Sequence, residues 1–212
     1  MAKSICDNYG VELVETPVGF KFIGEKIKEC EESGEKEFIF GFEESCGYLR
    51  GTHARDKDAV VASMLFAEMT CFYQYIGKSV YGRLCEIYEK YGYALDETDS
   101  IKYSGLDAMA KMNACVQKMR DAAVENIGIY TVSATRDYLS GKRKSADGET
   151  TMDIKGVNCV YYELLSGGFI CLRPSGTEPK LKIYYSVRSK DKAHAESQLA
   201  ELKKEFCKLL EE

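Results

Sequence analysis

Residues 41–47, of sequence GFEESCG, combine two carboxylates, a hydroxyl and two glycines directly after an apolar run. In open α/β sheets, the loop at the carboxyl end of a strand is where ligands bind. Glu43 and Ser45 offer hydrogen-bonding groups, and Gly47 allows close approach to the backbone, which suits recognition of a polyhydroxylated ligand. A solvated turn without a ligand is the alternative interpretation.

Residues 53–58, of sequence HARDKD, place basic and acidic side chains together ahead of a long apolar stretch. Asp56 or Asp58 is suited to begin the helix that follows, because an aspartate at the N-cap accepts hydrogen bonds from the first free N–H groups. Capping does not account for the three basic side chains, so anion binding or proton transfer by one of them remains open. These side chains are His53, Arg55 and Lys57.

Residues 173–182, of sequence RPSGTEPKLK, join two apolar runs through a turn that is rich in hydrogen-bond donors. A guanidinium, hydroxyls and exposed backbone N–H groups together favour a phosphate-binding nest, with a glycine free to take positive φ. An ordinary hairpin loop is the alternative, but a hairpin has no need of so many donors. The candidate phosphate-binding residues are Arg173, Ser175, Gly176, Thr177, Lys180 and Lys182.

The spacing of apolar residues predicts the elements that hold the first two segments. Residues 2–9 and 20–33 predict helices, whereas residues 11–14 and 38–40 predict strands, the latter buried on both faces. Strand, helix and strand at this spacing indicate a parallel α/β layer. Polar residues interrupt the apolar stretch 59–76 before it reaches the roughly 18 continuous apolar residues of a membrane span, so we expect a buried core helix.

The second half of the chain follows a different pattern. Its periodicity predicts helices at 106–122 and 191–210, and strands at 100–104, 128–134, 157–164, 168–173 and 181–187. Short turns between successive strands permit only antiparallel pairing. We therefore expect an α/β layer over residues 1–92 and an α+β domain, with an antiparallel sheet and helices, over residues 96–212. Asp96, Glu97 and Asp99 interrupt the apolar pattern, which indicates a mobile hinge over residues 92–98.

Composition excludes several classes of protein. The 212 residues carry 29 basic and 34 acidic side chains, a formal charge of −5. We expect no nucleic-acid partner, because binding to nucleic acid requires a clustered basic face. The nine cysteines show neither zinc spacing nor a CxxC pair, so we expect no metal site and a reducing compartment. No apolar signal segment begins the sequence, so we expect a cytoplasmic protein without a membrane partner.

Three segments, taken in order, resemble the α-D-phosphohexomutase family, in its phosphoglucomutase and phosphomannomutase branch. Residues 16–24 (TPVGFKFIG) are similar to a TPTGFK-type segment of the family's third domain. Residues 41–47 and 53–58 resemble the sugar-recognition loop of that domain and the basic stretch after it. Residues 173–177 resemble the phosphate-binding loop of the fourth domain. The resemblance implies that residues 1–92 are a third domain truncated at its N-terminus and that residues 96–212 are a fourth domain.

The resemblance implies a reversible transfer of phosphate between the 1- and 6-hydroxyls of a hexose phosphate, through a phosphoserine enzyme and a bisphosphate intermediate. Lys57 falls close to the transferring phosphoryl group, where it is a candidate general acid or base. The loop of residues 173–182 falls where the family holds the non-reacting phosphate, and such an anchor positions either hydroxyl for in-line transfer. The implied substrate-binding residues are Glu43, Ser45, Gly47, Lys21, His53 and Arg55.

Two features of the family do not occur in the sequence, namely a serine segment of TASHNP type and a DxDxD metal loop. We therefore expect a C-terminal portion of a mutase that is inactive alone and carries no cofactor. Mg²⁺, hexose 1,6-bisphosphate and the missing N-terminal catalytic domains are expected for the full-length enzyme. A non-catalytic sugar-phosphate binding or regulatory module is the alternative, and a purely structural protein is a third interpretation. Glucose and mannose are both open as substrates, because Glu43 and Ser45 can contact hydroxyls that the two sugars share.

Overall fold

A computed structural model describes residues 1–211, which form two units, Ala2–Ile87 and, together with Met1, the chain from Tyr88 onward. The first unit contains a short antiparallel hairpin of β1 and β2 among helices. Its elements are α1 (Ala2–Tyr9), α2 (Phe20–Ser33), β1 (Gly41–Glu43), β2 (Gly47–Leu49), α3 (Ala59–Tyr75) and α4 (Val80–Tyr91), the last of which continues past Ile87.

A small apolar core joins α2 to the hairpin. Phe20, Ile27 and Leu49 are buried in it. The fit is tight at Gly24, because a Cβ there would lie 2.7 Å from the carbonyl oxygen of Arg55. Glycine therefore lets α2 pack directly against the loop that carries the basic segment.

Two predicted strands of this unit do not form. Residues 11–14 and 38–40 lie outside any strand, and Ile39 and Phe40 are 48% and 44% exposed rather than buried on both faces. Parallel strands are stable when helices cover both faces of their sheet. The described part of this unit pairs only β1 with β2, so the apolar run has no sheet to enter.

Helix α3 forms as expected but is not a core helix. Asp58 caps it, with Oδ1 accepting from the N–H groups of Val60 and Val61 at 2.9 and 3.0 Å. None of its residues is buried, and Phe66 and Tyr75 are 59% and 89% exposed. The apolar pattern predicts the helix but carries no information about which surface covers it. Among residues 1–211 no single helix is long and apolar enough to cross a membrane, and α3 meets that test only as a bent pair with α4.

The second unit is built on an antiparallel sheet, as the short turns predict. The sheet order is β3-β10-β9-β8-β5-β6-β7, and the short β4 pairs with β5. Its elements are β3 (Tyr93–Lys102), α5 (Ala108–Asp121), β4 (Asn126–Ile127), β5 (Tyr130–Asp137), β6 (Lys142–Ser145), β7 (Gly148–Thr151), β8 (Val160–Leu164), β9 (Phe169–Pro174), β10 (Lys180–Ser189) and α6 (Lys192–Glu211).

Helices α5 and α6 bury their apolar stripes against one face of this sheet. The Tyr162 hydroxyl donates to the carbonyl of Met119 on α5 at 2.6 Å, and the Tyr162 ring lies 6.2 Å from the ring of Phe206 on α6. Side chains alternate between the two faces of a strand, so every second residue of the central strands points away from both helices. The buried helix residues recur at helical spacing and are Ala108, Met112, Val116, Met119, Ala195, Leu199, Leu202 and Phe206.

The predicted hinge over residues 92–98 is wrong, since most of it belongs to the sheet. Every residue of β3 pairs with a residue of β10, in one continuous register. Acidic residues weaken the apolar signal of a strand, but an edge strand tolerates them because part of it faces solvent. The acidic run therefore marks an edge strand and not a flexible connection.

Candidate functional site

The candidate phosphate loop is the turn between β9 and β10. The N–H of Ser175 donates to the carbonyl of Lys180 at 2.8 Å, and Ser175 Oγ accepts from the N–H groups of Thr177 and Glu178 at 3.4 and 3.3 Å. Gly176 is exposed, does not have positive φ, and would place a Cβ in open space. Gly176 therefore does not use its freedom to take positive φ, and Ser175 Oγ accepts hydrogen bonds from two of the N–H groups of the turn, so phosphate binding by this backbone remains a prediction.

The side chains beside this turn form a cation row, defined here as Arg173, Lys182, Lys180 and Lys102. The strand register places Lys182 opposite Arg173 and Lys180 opposite Lys102. Residues directly opposite in an antiparallel ladder project from the same face, where like charges repel each other. Leu181, between the two lysines of β10, is buried in the core, so the cation row occupies the face that points away from α5 and α6.

No member of the cation row forms a salt bridge within residues 1–211. Arg136 and Arg143 differ from the cation row in this respect, because both pair with the carboxylate of Glu163 on β8. A group of like charges without a carboxylate partner attracts an anion, because bound negative charge relieves their repulsion. Three predicted phosphate-binding cations, Arg173, Lys180 and Lys182, thus lie on one face of the sheet. Their side chains offer an anion positive charge, which the backbone of the turn does not.

Sequence reasoning misses Lys102, the fourth member of the cation row. Only the pairing of β3 with β10 brings it opposite Lys180, and pairing between strands distant in sequence leaves no local signal. The N–H of Tyr103 donates to the carbonyl of Pro179 at 2.8 Å, which ties the end of β3 to the phosphate loop. Lys102 could have been found only by predicting that β3 pairs with β10 and in which register.

The hairpin of β1 and β2 holds the candidate sugar loop. Glu43 pairs with Gly47 across the hairpin, so residues 44–46 form the turn, with Ser45 exposed at its tip. Cys46 takes a φ of 64°, which few residues other than glycine adopt. A Cβ on Gly47 would lie 2.8 Å from Lys57 Cδ and 3.1 Å from Glu43 Oε2. Glycine at this position therefore allows the Lys57 side chain to cross the strand beside Glu43.

Lys57 is an ammonium group held between acidic side chains. Its Nζ donates to Asp56 Oδ1 at 2.8 Å and lies 5.4 Å from the centre of the Phe20 ring. The bond to Asp56 and the nearby charge of Glu43 raise the pKa of Lys57 above its ordinary value. At neutral pH the group carries its proton, which suits proton donation or anion binding, and its assignment as a general acid or base remains a prediction.

The other basic candidates of the first unit have structural partners. His53 Nε2 lies 2.9 Å from Asp58 Oδ2, and this contact together with the capped N–H groups holds the pKa of Asp58 below its usual value. Arg55 donates to the carbonyl of Thr52 at 2.7 Å and pairs with Glu31 on α2. These contacts fix the shape of the basic loop and identify Asp58 as the residue that caps α3.

Lys21 lies apart from these contacts, in the first turn of α2. Its Nζ is 4.8 Å from the centre of the Phe22 ring, and the residue is exposed. No hydrogen bond or salt bridge links it to another candidate residue within the described chain. Its assignment to the substrate site therefore remains a prediction, as do the assignments of His53 and Arg55.

Comparison with known protein families and sequences gives a consistent result across the chain. The family model for the phosphoglucomutase/phosphomannomutase alpha/beta/alpha domain III matches residues 1–91, and the model for the C-terminal domain of the same family matches residues 112–206. The phosphoglucomutase of Staphylococcus aureus (strain bovine RF122 / ET3-1) is 36% identical over 189 residues, which cover 89% of this chain and 34% of that protein. The phosphoglucomutase of Staphylococcus haemolyticus (strain JCSC1435) is 34% identical over 189 residues, covering 88% of this chain and 34% of that protein.

A solved structure shares the fold. The crystal structure of the exocytosis-sensitive phosphoprotein pp63/parafusin, a phosphoglucomutase from Paramecium in its open form, matches 99% of this chain and 35% of that chain with a TM-score of 0.67 at 17% identity. This chain thus spans about a third of the length of the relatives that it matches. The two matched models follow each other in the order that the motifs indicate. The chain belongs to the phosphoglucomutase/phosphomannomutase family, in which it corresponds to domain III and the C-terminal domain.

Proposed function

We propose that this chain supplies sugar and phosphate recognition to a phosphoglucomutase or phosphomannomutase. Such an enzyme interconverts hexose 1-phosphate and hexose 6-phosphate through a phosphoserine and a bisphosphate intermediate. The observation that carries the proposal is the cation row, whose four side chains have no acidic partner among residues 1–211. A phosphate dianion bound there supplies the missing negative charge.

The members of the cation row contribute in different ways. The guanidinium of Arg173 binds two phosphate oxygens at once, whereas the ammonium groups of Lys102, Lys180 and Lys182 act as point charges. The hydroxyl of Thr177 is exposed beside them and adds a neutral donor. Solvent screens this open face, so we expect a dissociation constant of about 1 mM, equivalent to roughly 4 kcal/mol.

The hairpin of the first unit recognises sugar hydroxyls in this proposal. Glu43 accepts hydrogen bonds from them, and Ser45 at the tip of the turn both donates and accepts. Lys57 stands beside Glu43 as a protonated ammonium group, in place to stabilise a phosphoryl oxygen or to protonate a leaving oxygen.

The chemistry of phosphoryl transfer depends on groups that this chain does not contain. The sequence has neither a TASHNP-type serine segment nor a DxDxD loop. No group of three or more His, Cys, Asp or Glu side chains in the described residues could hold a metal ion. The residues described here therefore do not fit the Mg²⁺ that the family implies for the full enzyme, and the chain's own contribution is binding and orientation.

Phosphate binding is tested by NMR titration of the ¹⁵N-labelled chain with inorganic phosphate and, separately, with glucose 1-phosphate. We expect the amides of Gly176 and Thr177 to move, and Arg173→Ala to weaken binding about tenfold. Lys102→Ala should weaken it about two- to threefold and reduce its dependence on salt. Lys144→Ala is the matched control, since it removes one exposed lysine from β6 and should leave the titration unchanged. Equal affinities of wild type and Arg173→Ala would refute this site.

Turnover is tested separately, in a coupled assay with glucose 1-phosphate and glucose 1,6-bisphosphate. We expect no mutase activity from the chain alone, because it lacks the serine that carries the phosphate. Activity that survives repurification would overturn this expectation. Phosphate binding without sugar-dependent shifts at Glu43 and Ser45 would instead favour a plain anion-binding module.

A further inference from the structure

We propose that Cys159 and Cys171 form a redox-active dithiol, which closes to an intramolecular disulfide by exchange with a small-molecule disulfide such as oxidised glutathione. Cys159 immediately precedes β8 and Cys171 lies in the neighbouring strand β9. Their Sγ atoms are 3.1 Å apart, close enough for one thiol to hydrogen-bond the other.

The sheet holds the two sulfur atoms in place. Tyr161 is opposite Cys171 and Val160 is opposite Leu172, so Cys159 stands diagonally across from Cys171 on the same face. Sulfur atoms in a disulfide are about 2.05 Å apart, so closure requires a side-chain movement of about 1 Å. Backbone pairing on both sides of β9 keeps this short approach available.

The surroundings of the pair favour thiolate chemistry. Cys159 is buried and Cys171 is only half-buried, so an external reagent reaches Cys171 first. The hydrogen bond from Cys171, followed by the positive charges of Arg173 and Arg120, lowers the pKa of Cys159. The mixed disulfide at Cys171 has no S–H to donate, so at the second step the attack by Cys159 depends on its closeness to the Cys171 sulfur, with the charges of Arg173 and Arg120 favouring its thiolate against burial.

The reaction balances as two successive exchanges. The thiolate of Cys171 attacks one sulfur of the external disulfide, forms a mixed disulfide and expels one thiolate, which takes the proton that Cys171 released. The thiolate of Cys159 then attacks the Cys171 sulfur, breaks the mixed bond and expels the second thiolate, which takes the proton from Cys159. The protein dithiol is oxidised by two electrons, and one external disulfide is reduced to two thiols.

The remaining cysteines provide internal controls. Cys46, Cys71 and Cys207 are exposed, and no cysteine other than the proposed pair makes a sulfur–sulfur hydrogen bond within residues 1–211. Exposed thiols with no neighbouring thiol react with oxidised glutathione only as far as the mixed disulfide. The proposal therefore distinguishes Cys159 and Cys171 by the product they form and not by reactivity alone.

The test equilibrates the reduced chain in glutathione redox buffers, blocks the remaining thiols by alkylation, and identifies the products by peptide mass spectrometry. We expect a cross-linked product joining Cys159 to Cys171 in wild type and in Cys207→Ser. Cys171→Ser and Cys159→Ser should not give this product, and Cys159→Ser should retain a glutathione adduct on Cys171. A stable adduct on Cys171 of the wild type, without the cross-link, would overturn the proposal.

A second measurement separates native geometry from closeness in sequence, because the two cysteines are 12 residues apart. The same equilibrium in concentrated guanidinium chloride reports the unfolded chain, in which the loop must be closed against its own entropy. We expect the equilibrium constant for disulfide formation to be higher in the folded chain by at least about tenfold. Equal constants in the two states would show that the fold does not prepare the pair.

Discussion

Glu163→Gln should destabilise the second unit at neutral pH. The carboxylate of Glu163 accepts two hydrogen bonds from Arg143, both at 2.8 Å, and a further bond from Arg136. These contacts, with Arg143 first, lower the pKa of Glu163 from 4.5 to about 2. Glutamine has nearly the same shape, so the substitution removes the charge while the packing is kept.

The size of the effect follows from the pKa of Glu163. At about 1.4 kcal/mol for each pH unit, its change corresponds to about 3 kcal/mol, and screening of the partly exposed Arg143 leaves about 2 kcal/mol. The folded pKa lies below the unfolded one, so this stabilisation is complete above about pH 4.5 and is lost as the pH falls towards 2. The difference between wild type and Glu163→Gln should therefore be largest at pH 7 and smaller at pH 3.5.

Urea unfolding followed by circular dichroism at both pH values measures this difference. Hydrogen exchange of the β8 amides shows that the transition belongs to the second unit. Glu149→Gln is the matched control, because Glu149 pairs with Lys142 on exposed strands and its loss should have no measurable effect. A cost below about 0.5 kcal/mol at pH 7, or a cost that is unchanged at pH 3.5, would refute the charge argument.

Two further predictions concern packing in the same unit. Gly168→Ala should lower the free energy of unfolding by about 3 kcal/mol or more, because its Cβ would lie 2.2 Å from the carbonyl oxygen of Ser186. Thermal unfolding measures the effect, and Gly176→Ala, whose Cβ would lie in open space, is the control. Equal melting temperatures for the two variants would contradict the clash. Tyr162→Phe should lower the free energy of unfolding, measured in urea, by about 1–2 kcal/mol, because the buried carbonyl of Met119 loses its donor. A stability equal to that of the wild type would show that this hydrogen bond makes no net contribution.

Regular periodicity allowed the helices and the antiparallel pairing of the second unit to be predicted from sequence, but not the first half of β3 or the strands β6 and β7, which occupy a segment expected to be a loop over residues 140–150. Leu199, Leu202 and Phe206 recur along α6 at helical spacing, and all three are buried as that spacing predicts. Turns such as that at residues 166–168 are too short for a parallel crossover, which leaves antiparallel pairing. Local patterns of this kind need no knowledge of distant partners, because each helix or turn is specified by its own residues.

Features that depend on a distant partner could not be predicted in the same way. The apolar run at 38–40 shows a tendency to be buried but does not identify the surface that would bury it. The same holds for α3, whose residues are apolar and yet not buried. Lys102 belongs to the cation row only because β3 pairs with β10. Burial and site membership at these positions are properties of long-range contacts.

The acidic edge of the sheet has a consequence for association between molecules. Among the strands of residues 1–211, β3 pairs only with β10, so its other edge carries N–H and C=O groups that a strand of another molecule could pair with. A second copy of β3 aligned along that edge would bring Asp96, Glu97 and Asp99 against an identical acidic run. Lys203 on α6 donates to Glu97 and Asp99 at 2.7 and 3.0 Å, which holds both carboxylates on the strand. We therefore expect the residues that disrupt the apolar pattern of β3 to disfavour edge-to-edge pairing of two such strands, which is how charged side chains protect exposed sheet edges.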